Sequence, residues 1–209
     1  MLNNDFVCRD ATIKDIEQVA RIHISAFPDF FLTQLGSRFL SVMYRAFLLN
    51  PASVFVVCQR VDGNLCGFAV GALQSGPRDR RLALQFFPKF IWAIIPALLR
   101  RPFWIAQRIW ARFFETSEAP VVSDQAVMLR SIGVSPEAQG GGVAVALLSS
   151  FERMGLSLGG KEVALTTDVE NNERAQGFYR KQGYEVKAQF CQDGDRQMYL
   201  MTKDIGNDD

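Results

Sequence analysis

The chain passes from a strand into a helix within residues 126–148, which read AVMLRSIGVSPEAQGGGVAVALL. Apolar and β-branched residues over Ala126–Val134 predict a strand, and Pro136 ends it. Apolar residues at helical spacing from Val143 to Leu158 predict a helix, which two glycines terminate. A glycine-rich turn over Gln139–Gly142 therefore joins the end of a strand to the start of a helix.

This turn has the properties of a seat for an anion. Glycine lets the backbone approach a ligand closely, and the first N–H groups of a helix are unpaired at the positive end of its dipole. Phosphate or pyrophosphate suits such a position best. No Lys-Ser or Lys-Thr pair follows, so the turn is not a Walker A loop, and the G-x-G-x-x-G dinucleotide fingerprint is absent. A tight turn without a ligand is the alternative that this stretch alone leaves open.

A second pattern follows a predicted strand over Val163–Thr167. Its members are Asn172, Ala175, Phe178, Tyr179, Gly183 and Tyr184. This pattern and the turn, which reads Gln139-x-x-Gly142-x-Ala144, resemble the GCN5-related N-acetyltransferase (GNAT) family. The turn matches that family's Q/R-x-x-G-x-G/A signature, and the second pattern matches its N-x-x-A-x-x-φ-Y-x-x-x-G-φ sequence. The two patterns in this order and on these elements indicate membership.

The resemblance implies an α/β fold with a mixed, mostly antiparallel central sheet, one splayed pair of parallel strands and flanking helices. The other predicted elements agree with this fold. They are a strand from Phe6 to Arg9, a helix after an N-cap at Thr12, a helix over Ser37–Leu49, a hairpin over 54–73, a helix over Asn172–Gln182 and a last hairpin around Asp193. We expect a single domain over residues 1–209, with a helical insertion at 77–120 between the third and fourth strands.

The resemblance also implies acetyl-CoA as the acyl donor, no metal, and a place for each part of the donor. The backbone of Ile132 and Val134 would bind the pantetheine arm, with Asn172 and Phe178 beside it. The pyrophosphate would lie on the turn and on the start of the helix. The residues implied for that seat are Gln139, Gly140, Gly141, Gly142, Val143 and Ala144.

Tyr179 is the residue that the resemblance implies for catalysis. A tyrosine hydroxyl is protonated at neutral pH and can donate its proton to the CoA thiolate as it leaves. The implied reaction is direct attack of an amine on the thioester, through a tetrahedral oxyanion that N–H groups near Val134 would stabilise. A core aromatic residue is the alternative interpretation of Tyr179.

The general base is left open by the sequence. Many family members carry a glutamate on the strand before the turn, whereas residues 126–134 contain no carboxylate. A water chain, Asp124 and Glu137 are alternatives. His23 lies among apolar residues of the first helix, which favours a core or rim position over a role as base.

Composition narrows the class of protein. The 209 residues carry 23 Lys and Arg against 22 Asp and Glu, a net charge of +1, which argues against a whole-chain nucleic-acid binder. An apolar fraction of 48% argues against disorder. Four cysteines without a Cys-x-x-Cys pair and a single histidine offer no zinc site, and the first residues do not resemble a secretory signal. We therefore expect a cytoplasmic protein with reduced cysteines at positions 8, 58, 66 and 191.

Residues 77–120 differ in character from the rest of the chain. They hold eight basic residues against three acidic ones, together with all three tryptophans and six of the seventeen phenylalanines. Prolines at positions 88, 96 and 102 predict two or three separate helices. Three roles are open: a wall of the acceptor site, a peripheral contact with an anionic membrane, or packing on the core or on a second copy of the chain.

Two classes of function follow from these patterns. The first is an acetyl-CoA-dependent N-acetyltransferase that acts on a primary amine of a small molecule. The second is a non-catalytic acyl-CoA-binding or membrane-surface regulatory module on the same fold. The missing strand carboxylate favours the second class, and Tyr179 favours the first.

Overall fold

The sheet has seven strands, in the order β1-β2-β3-β4-β5-β7-β6. The computed structural model of the chain describes residues 6–74, 80–100, 120–192 and 196–206. Within these residues the strands are β1 (Phe6–Asp10), β2 (Ser53–Arg60), β3 (Leu65–Leu73), β4 (Ala126–Val134), β5 (Glu162–Asp168), β6 (Glu185–Gln192) and β7 (Arg196–Asp204). Neighbouring strands are antiparallel except β4 and β5, which are parallel. The predicted sheet is confirmed.

Helices flank this sheet. They are α1 (Ile16–Ala26), α2 (Phe31–Gln34), α3 (Ser37–Leu49), α4 (Arg80–Arg100), α5 (Val143–Ser157) and α6 (Glu173–Lys181), with short 3-10 turns at Ile13–Asp15 and Pro136–Ala138. Helix α4 lies between β3 and β4 in the chain, so the predicted helical insertion is confirmed at that point. The turn around Asp193, which was predicted for the last hairpin, lies outside the described residues.

The side chains of the central strands are buried on both faces of the sheet, most completely in β2 and β3. Along β2, Val54 and Val56 enter a cluster with α5 and α6, while Phe55 and Val57 enter a cluster with α1 and α3. Side chains alternate between the two faces of a strand, so a strand covered by helices on both sides is apolar throughout. Each fully buried side chain of this size contributes about 1.5–3 kcal/mol. The helices on both faces are therefore held in place mainly by apolar packing.

A buried carboxylate organises the start of α1. Asp15 accepts hydrogen bonds from the backbone N–H of Thr12 (2.7 Å) and from both terminal nitrogens of Arg9 (2.8 and 2.9 Å). Burial disfavours the charged carboxylate, yet the hydrogen bonds from Arg9 and Thr12 outweigh burial and lower the pKa of Asp15. These bonds complete the capping arrangement that the sequence predicts after Thr12, and they connect the helix to β1.

Helix α4 is continuous through two prolines. Pro88 and Pro96 both lie inside it, so the prediction of separate helices broken at these positions is wrong, and Pro102 lies outside the described residues. A proline inside a helix costs about 3 kcal/mol because it removes a backbone hydrogen bond and crowds the preceding turn. Packing offsets this cost, since Ile94 and Ala97 lie in an apolar cluster with Leu35 and with residues of α2 and α3. No helix in the described part of the chain is long and apolar enough to cross a membrane.

Two cysteines are joined in a disulfide. Cys8 and Cys58 are register partners on β1 and β2 and are bonded to each other, so the expectation of four reduced cysteines is wrong for this pair. They are 50 residues apart in the sequence, and the antiparallel pairing of the two strands brings their Cα atoms to 4.1 Å. Cys66 and Cys191 are free.

His23 connects α1 to α3 in the interior. Its Nδ1 shares a hydrogen bond of 2.5 Å with the Tyr44 hydroxyl, and its ring lies against Phe27 and Phe68. Among the described residues its Nε2 has no hydrogen-bond partner. Burial disfavours the charged imidazolium and lowers the pKa of His23 to about 4. This residue therefore has the core position that the sequence favours.

The buried histidine makes the stability of the fold depend on pH. The native state keeps His23 neutral down to about pH 4, whereas the unfolded chain protonates it below about pH 6.5. The free energy of unfolding should therefore fall by about 2 kcal/mol between pH 7.5 and 5. Denaturant unfolding at the two pH values measures this difference.

A matched variant isolates the contribution of this side chain. His23 is the single histidine of the chain, so His23→Gln removes the group that titrates in this window. The variant should be less stable at pH 7.5, and its stability should change much less on acidification. Equal pH dependence in the two proteins would show that His23 is not the cause.

Candidate active site

A gap opens between the two parallel strands. β4 pairs with β5 only over Ala126–Leu129 and Glu162–Leu165. Beyond this point β4 stays paired with β3 up to Val134, while β5 stays paired with β7 up to Asp168. The two strands therefore separate, and backbone groups on the facing edge of β4 lack a strand partner there.

The register shows which residues face this gap. The backbone N–H of Ser135 donates to the carbonyl of Cys66, at the end of the β3–β4 ladder. Hydrogen-bonded positions alternate along an antiparallel ladder, so Gly133 pairs with β3 while Ile132 and Val134 direct their backbone groups away from it. The two residues that the sequence implies for pantetheine binding therefore present their N–H and C=O groups to the gap.

The glycine turn lies directly after this edge of β4. Gly140 and Gly142 have left-handed φ angles of 81° and 80°, and Gly142 is the N-cap of α5. A Cβ atom at either position would meet no other atom within 4 Å, so the space in front of the turn is open. The Val143 side chain is buried in the core, which leaves its backbone N–H as the group that can meet a ligand. Open space beside unpaired N–H groups fits a pyrophosphate.

Beside the glycine turn lies a basic residue that is not part of the site predicted from the sequence. Arg174, in the first turn of α6, donates a hydrogen bond of 3.3 Å from its guanidinium to Oε1 of Gln139. Both side chains are exposed. A guanidinium next to an anion seat can add charge-assisted hydrogen bonds to a phosphate. The only indication of this contact in the sequence is that a basic residue stands two positions after Asn172.

Helix α6 is attached to the end of β5 by two amide side chains. Asn172 donates from Nδ2 to the Thr167 hydroxyl (2.6 Å), and Gln176 donates from Nε2 to the carbonyls of Asp168 (2.9 Å) and Val169 (2.8 Å). The position of α6 beside the gap is therefore set by side-chain to strand hydrogen bonds. The structure shows Asn172 in this connecting role.

Tyr179 lies in the apolar cluster on the α5 and α6 side of the sheet. That cluster also contains Val143, and it is contacted by Ile132, Val134 and Phe178. The Tyr179 ring lies 5.2 Å from that of Phe178. Burial raises the pKa of Tyr179 to about 12, so its hydroxyl is a proton donor throughout the neutral range. Within the described residues this hydroxyl has no hydrogen-bond partner.

Its neighbour Tyr184 differs in one respect. The Tyr184 ring lies 5.7 Å from that of Tyr179, and burial also raises its pKa. Its hydroxyl, however, donates to Glu152 Oε1 (3.0 Å), and Glu152 in turn accepts from Lys203 Nζ (2.8 Å). Of these two tyrosines, Tyr184 has its proton engaged in a structural bond, and Tyr179 has its proton available.

On the opposite face, aromatic residues at the end of α1 lie against β4. A Cβ atom added at Gly133 would approach Phe68 to 2.8 Å and Phe27 to 3.2 Å, so both rings lie directly on the strand. Phe30 packs on Phe27 and is about half exposed. These rings border β4 on the face opposite to Tyr179.

The carboxylates weighed as a general base lie at the surface. Asp124 is exposed in the turn before β4, and Glu137 is exposed in the 3-10 turn after it. His23 is buried and neutral, and its one hydrogen bond joins it to Tyr44. No group of three or more His, Cys, Asp or Glu suited to a metal occurs among the described residues.

Several solved structures with a similar fold are named as acetyltransferases. The ribosomal-protein-S18-alanine N-acetyltransferase of Escherichia coli superposes with a TM-score of 0.60 at 12% identity, over 98% of this chain and 96% of that one. The yncA protein of Salmonella typhimurium, a putative acetyltransferase solved with acetyl-CoA, gives 0.61 at 15% identity over 99% and 96%. The spermidine/spermine N-acetyltransferase SpeG of Vibrio cholerae gives 0.57 at 15% identity over 98% and 95%.

The family model of the GNAT acetyltransferases matches residues 16–184. No curated protein is similar enough in sequence to be matched with this chain. The family match spans most of the chain, from the first helix to the end of the second sequence pattern. With the splayed parallel strands and the glycine turn at the start of α5, it shows that the chain belongs to the GNAT acetyltransferase family.

Proposed function

We propose that this chain transfers the acetyl group of acetyl-CoA to a primary amine of a small molecule. One observation carries the proposal: the free edge of β4 and the glycine turn adjoin the apolar cluster that holds Tyr179, whose hydroxyl is protonated and unengaged among the described residues. A cytoplasmic location and a single domain over residues 1–209 are parts of the same proposal.

The backbone around the gap would bind the donor. Ile132 and Val134 direct N–H and C=O groups into the gap, which suits the amide groups of a pantetheine arm. The N–H groups of Gly140, Gly142, Val143 and Ala144 would hold the pyrophosphate, with the Arg174 guanidinium nearby, whereas the N–H of Gly141 donates to the carbonyl of Ala138 (3.4 Å). Phe178, which is half-buried beside Tyr179, would pack against the arm. When bound, acetyl-CoA supplies a thioester that is activated for acyl transfer.

The chain would then assist both the attack of the amine and the departure of the CoA thiolate. As the amine nitrogen forms its bond to the acetyl carbon, N–H groups near Val134 would stabilise the oxyanion. When the carbon–sulfur bond breaks, Tyr179 would donate its proton to the leaving thiolate and recover it from solvent. The proton released by the amine would leave through water to the surface, where Asp124 and Glu137 are exposed.

Two of the proteins with similar folds described above are named for the amines that they acetylate. The named amines are the alanine of ribosomal protein S18 and the polyamines spermidine and spermine. In this chain the aromatic border formed by Phe27 and Phe30 would contact the acceptor on the α1 face of β4. We therefore expect a primary amine that carries an apolar portion.

A non-catalytic acyl-CoA binder is the second function that an observation favours. β4 has no carboxylate, and the Asp168 carboxylate at the end of β5 accepts hydrogen bonds from the Arg196 guanidinium. Binding of acetyl-CoA without release of CoA, over a panel of polyamines, amino sugars and peptides with free amino termini, would support this alternative.

Replacing Tyr179 with Phe should separate chemistry from binding. The variant keeps the ring in the cluster and removes the proton, so turnover should fall by roughly 100-fold or more while acetyl-CoA affinity stays within about threefold. Release of CoA thiol and calorimetric titration measure the two quantities.

Tyr184→Phe is the matched control for this prediction. It removes the hydroxyl that donates to Glu152, so stability should fall by about 1 kcal/mol while turnover stays near wild type. Unchanged turnover in Tyr179→Phe would remove Tyr179 from the mechanism. Equal loss of turnover in both variants would point to a general disturbance of the cluster.

Replacing Gly142 with Glu should abolish donor binding. The substitution strains a backbone with φ of 80° and places a carboxylate beside the anion seat, so affinity for acetyl-CoA should fall by about 100-fold or more. Gly159→Glu is the control, because Gly159 has φ of 87° and equal free space but follows the other end of α5. Affinity that is unchanged in Gly142→Glu, or lost equally in both variants, would contradict the assignment of the turn.

A further inference from the structure

One face of α4 is apolar and exposed along three turns of the helix. We define the α4 apolar face by its six residues, Pro88, Ile91, Trp92, Ile95, Leu98 and Leu99. Trp92 and Leu99 are the most exposed, at 76% and 79%. At 3.6 residues per turn the six positions fall on one arc about 120° wide. No charged residue falls on this arc between Pro88 and Leu99.

The opposite side of the same helix is the one that contacts the protein. Ala93 and Ala97 are buried, and Phe90 packs on Phe39 of α3 at a ring distance of 5.4 Å. The contact with α2 and α3 accounts for the orientation of the helix and leaves the α4 apolar face outward. A contiguous exposed apolar face of this kind marks a surface that binds something other than water.

The charges that flank this face restrict its partner. Arg80 and Arg81 begin the helix, and Arg100 and Arg101 follow its last apolar residues. Lys89 is exposed within the helix. If two copies of the chain paired through this face, in either orientation of the helices, basic ends would lie on basic ends, which is unfavourable. The partner should therefore be both apolar and anionic.

We propose that the α4 apolar face binds the surface of an anionic membrane. An apolar helix face with basic ends lies in the plane of such a surface, with its side chains at the boundary between headgroups and acyl chains. The basic ends are attracted to anionic headgroups, and a tryptophan such as Trp92 is suited to the headgroup level. No residue of this face belongs to the glycine turn or to the cluster that holds Tyr179, so the proposal does not depend on acetyl transfer.

Vesicle sedimentation of the full chain tests the proposal. The protein is centrifuged with vesicles of phosphatidylcholine alone, or of phosphatidylcholine with phosphatidylglycerol as roughly one-third of the lipid. We expect at least about tenfold stronger binding to the anionic vesicles, and we expect salt to weaken it. Trp92→Ser with Leu99→Ser should reduce this binding by about tenfold.

Val61→Ser is the matched control. Val61 is 88% exposed in the turn between β2 and β3, so the variant removes exposed apolar surface elsewhere and should bind like the wild type. Acetyl-CoA titration of every variant, without lipid, checks that the fold is retained and tests the donor site separately.

Three results would overturn the proposal. The first is wild-type protein that stays in the supernatant with both kinds of vesicle. The second is binding that Trp92→Ser with Leu99→Ser leaves unchanged, or that Val61→Ser reduces equally. The third is a concentration-dependent dimer that the double variant abolishes, without vesicle binding, which would make the face an interface between copies of this chain.

Discussion

The separation of β4 from β5 is the constraint on which the site depends. β4 pairs with β5 only up to Leu129 and Leu165, and the register between β3 and β4 shifts at the next residue of β4, between Leu129 and Ser131. Such a bulge bends a strand, and beyond it β4 remains paired with β3 and β5 with β7, so the two parallel strands separate. Backbone groups on the free edge then need partners, because buried N–H and C=O groups are costly when unpaired. The sheet itself thus provides a strip of hydrogen-bonding groups, and the helix that follows β4 places its unpaired N–H groups at the end of that strip.

Two neighbouring tyrosines show how burial and hydrogen bonding divide roles between like residues. Burial raises the pKa of both Tyr179 and Tyr184. Tyr184 is bound to Glu152, which also holds Lys203 on β7, so this group secures the last hairpin to α5. Tyr179 is held by ring contacts instead, which fix its ring and leave its hydroxyl unengaged among the described residues. A protonated and available donor results from packing alone.

Helix α4 adds a surface that the common sheet and its helices do not require. Its two internal prolines cost several kcal/mol in a helix, and the apolar contacts with α2 and α3 outweigh that cost. The same helix exposes Trp92 and Leu99 to solvent. An apolar face on both sides of one helix is consistent with a helix that has two partners, of which the protein supplies one.

The order of the elements and the location of the site could be predicted from the amino-acid sequence. The bounds of α3, β3 and β4 follow from apolar periodicity and turn residues, because these depend on contacts within a few positions. Gln139, Gly142 and the pattern from Asn172 indicated the family for the same reason. Four features became visible only in the folded chain: the continuity of α4, the disulfide between Cys8 and Cys58, the pairing of His23 with Tyr44, and the position of Arg174 beside Gln139. Each of these depends on which distant segments become neighbours, and packing energy between them overrides the local preferences from which a sequence is interpreted.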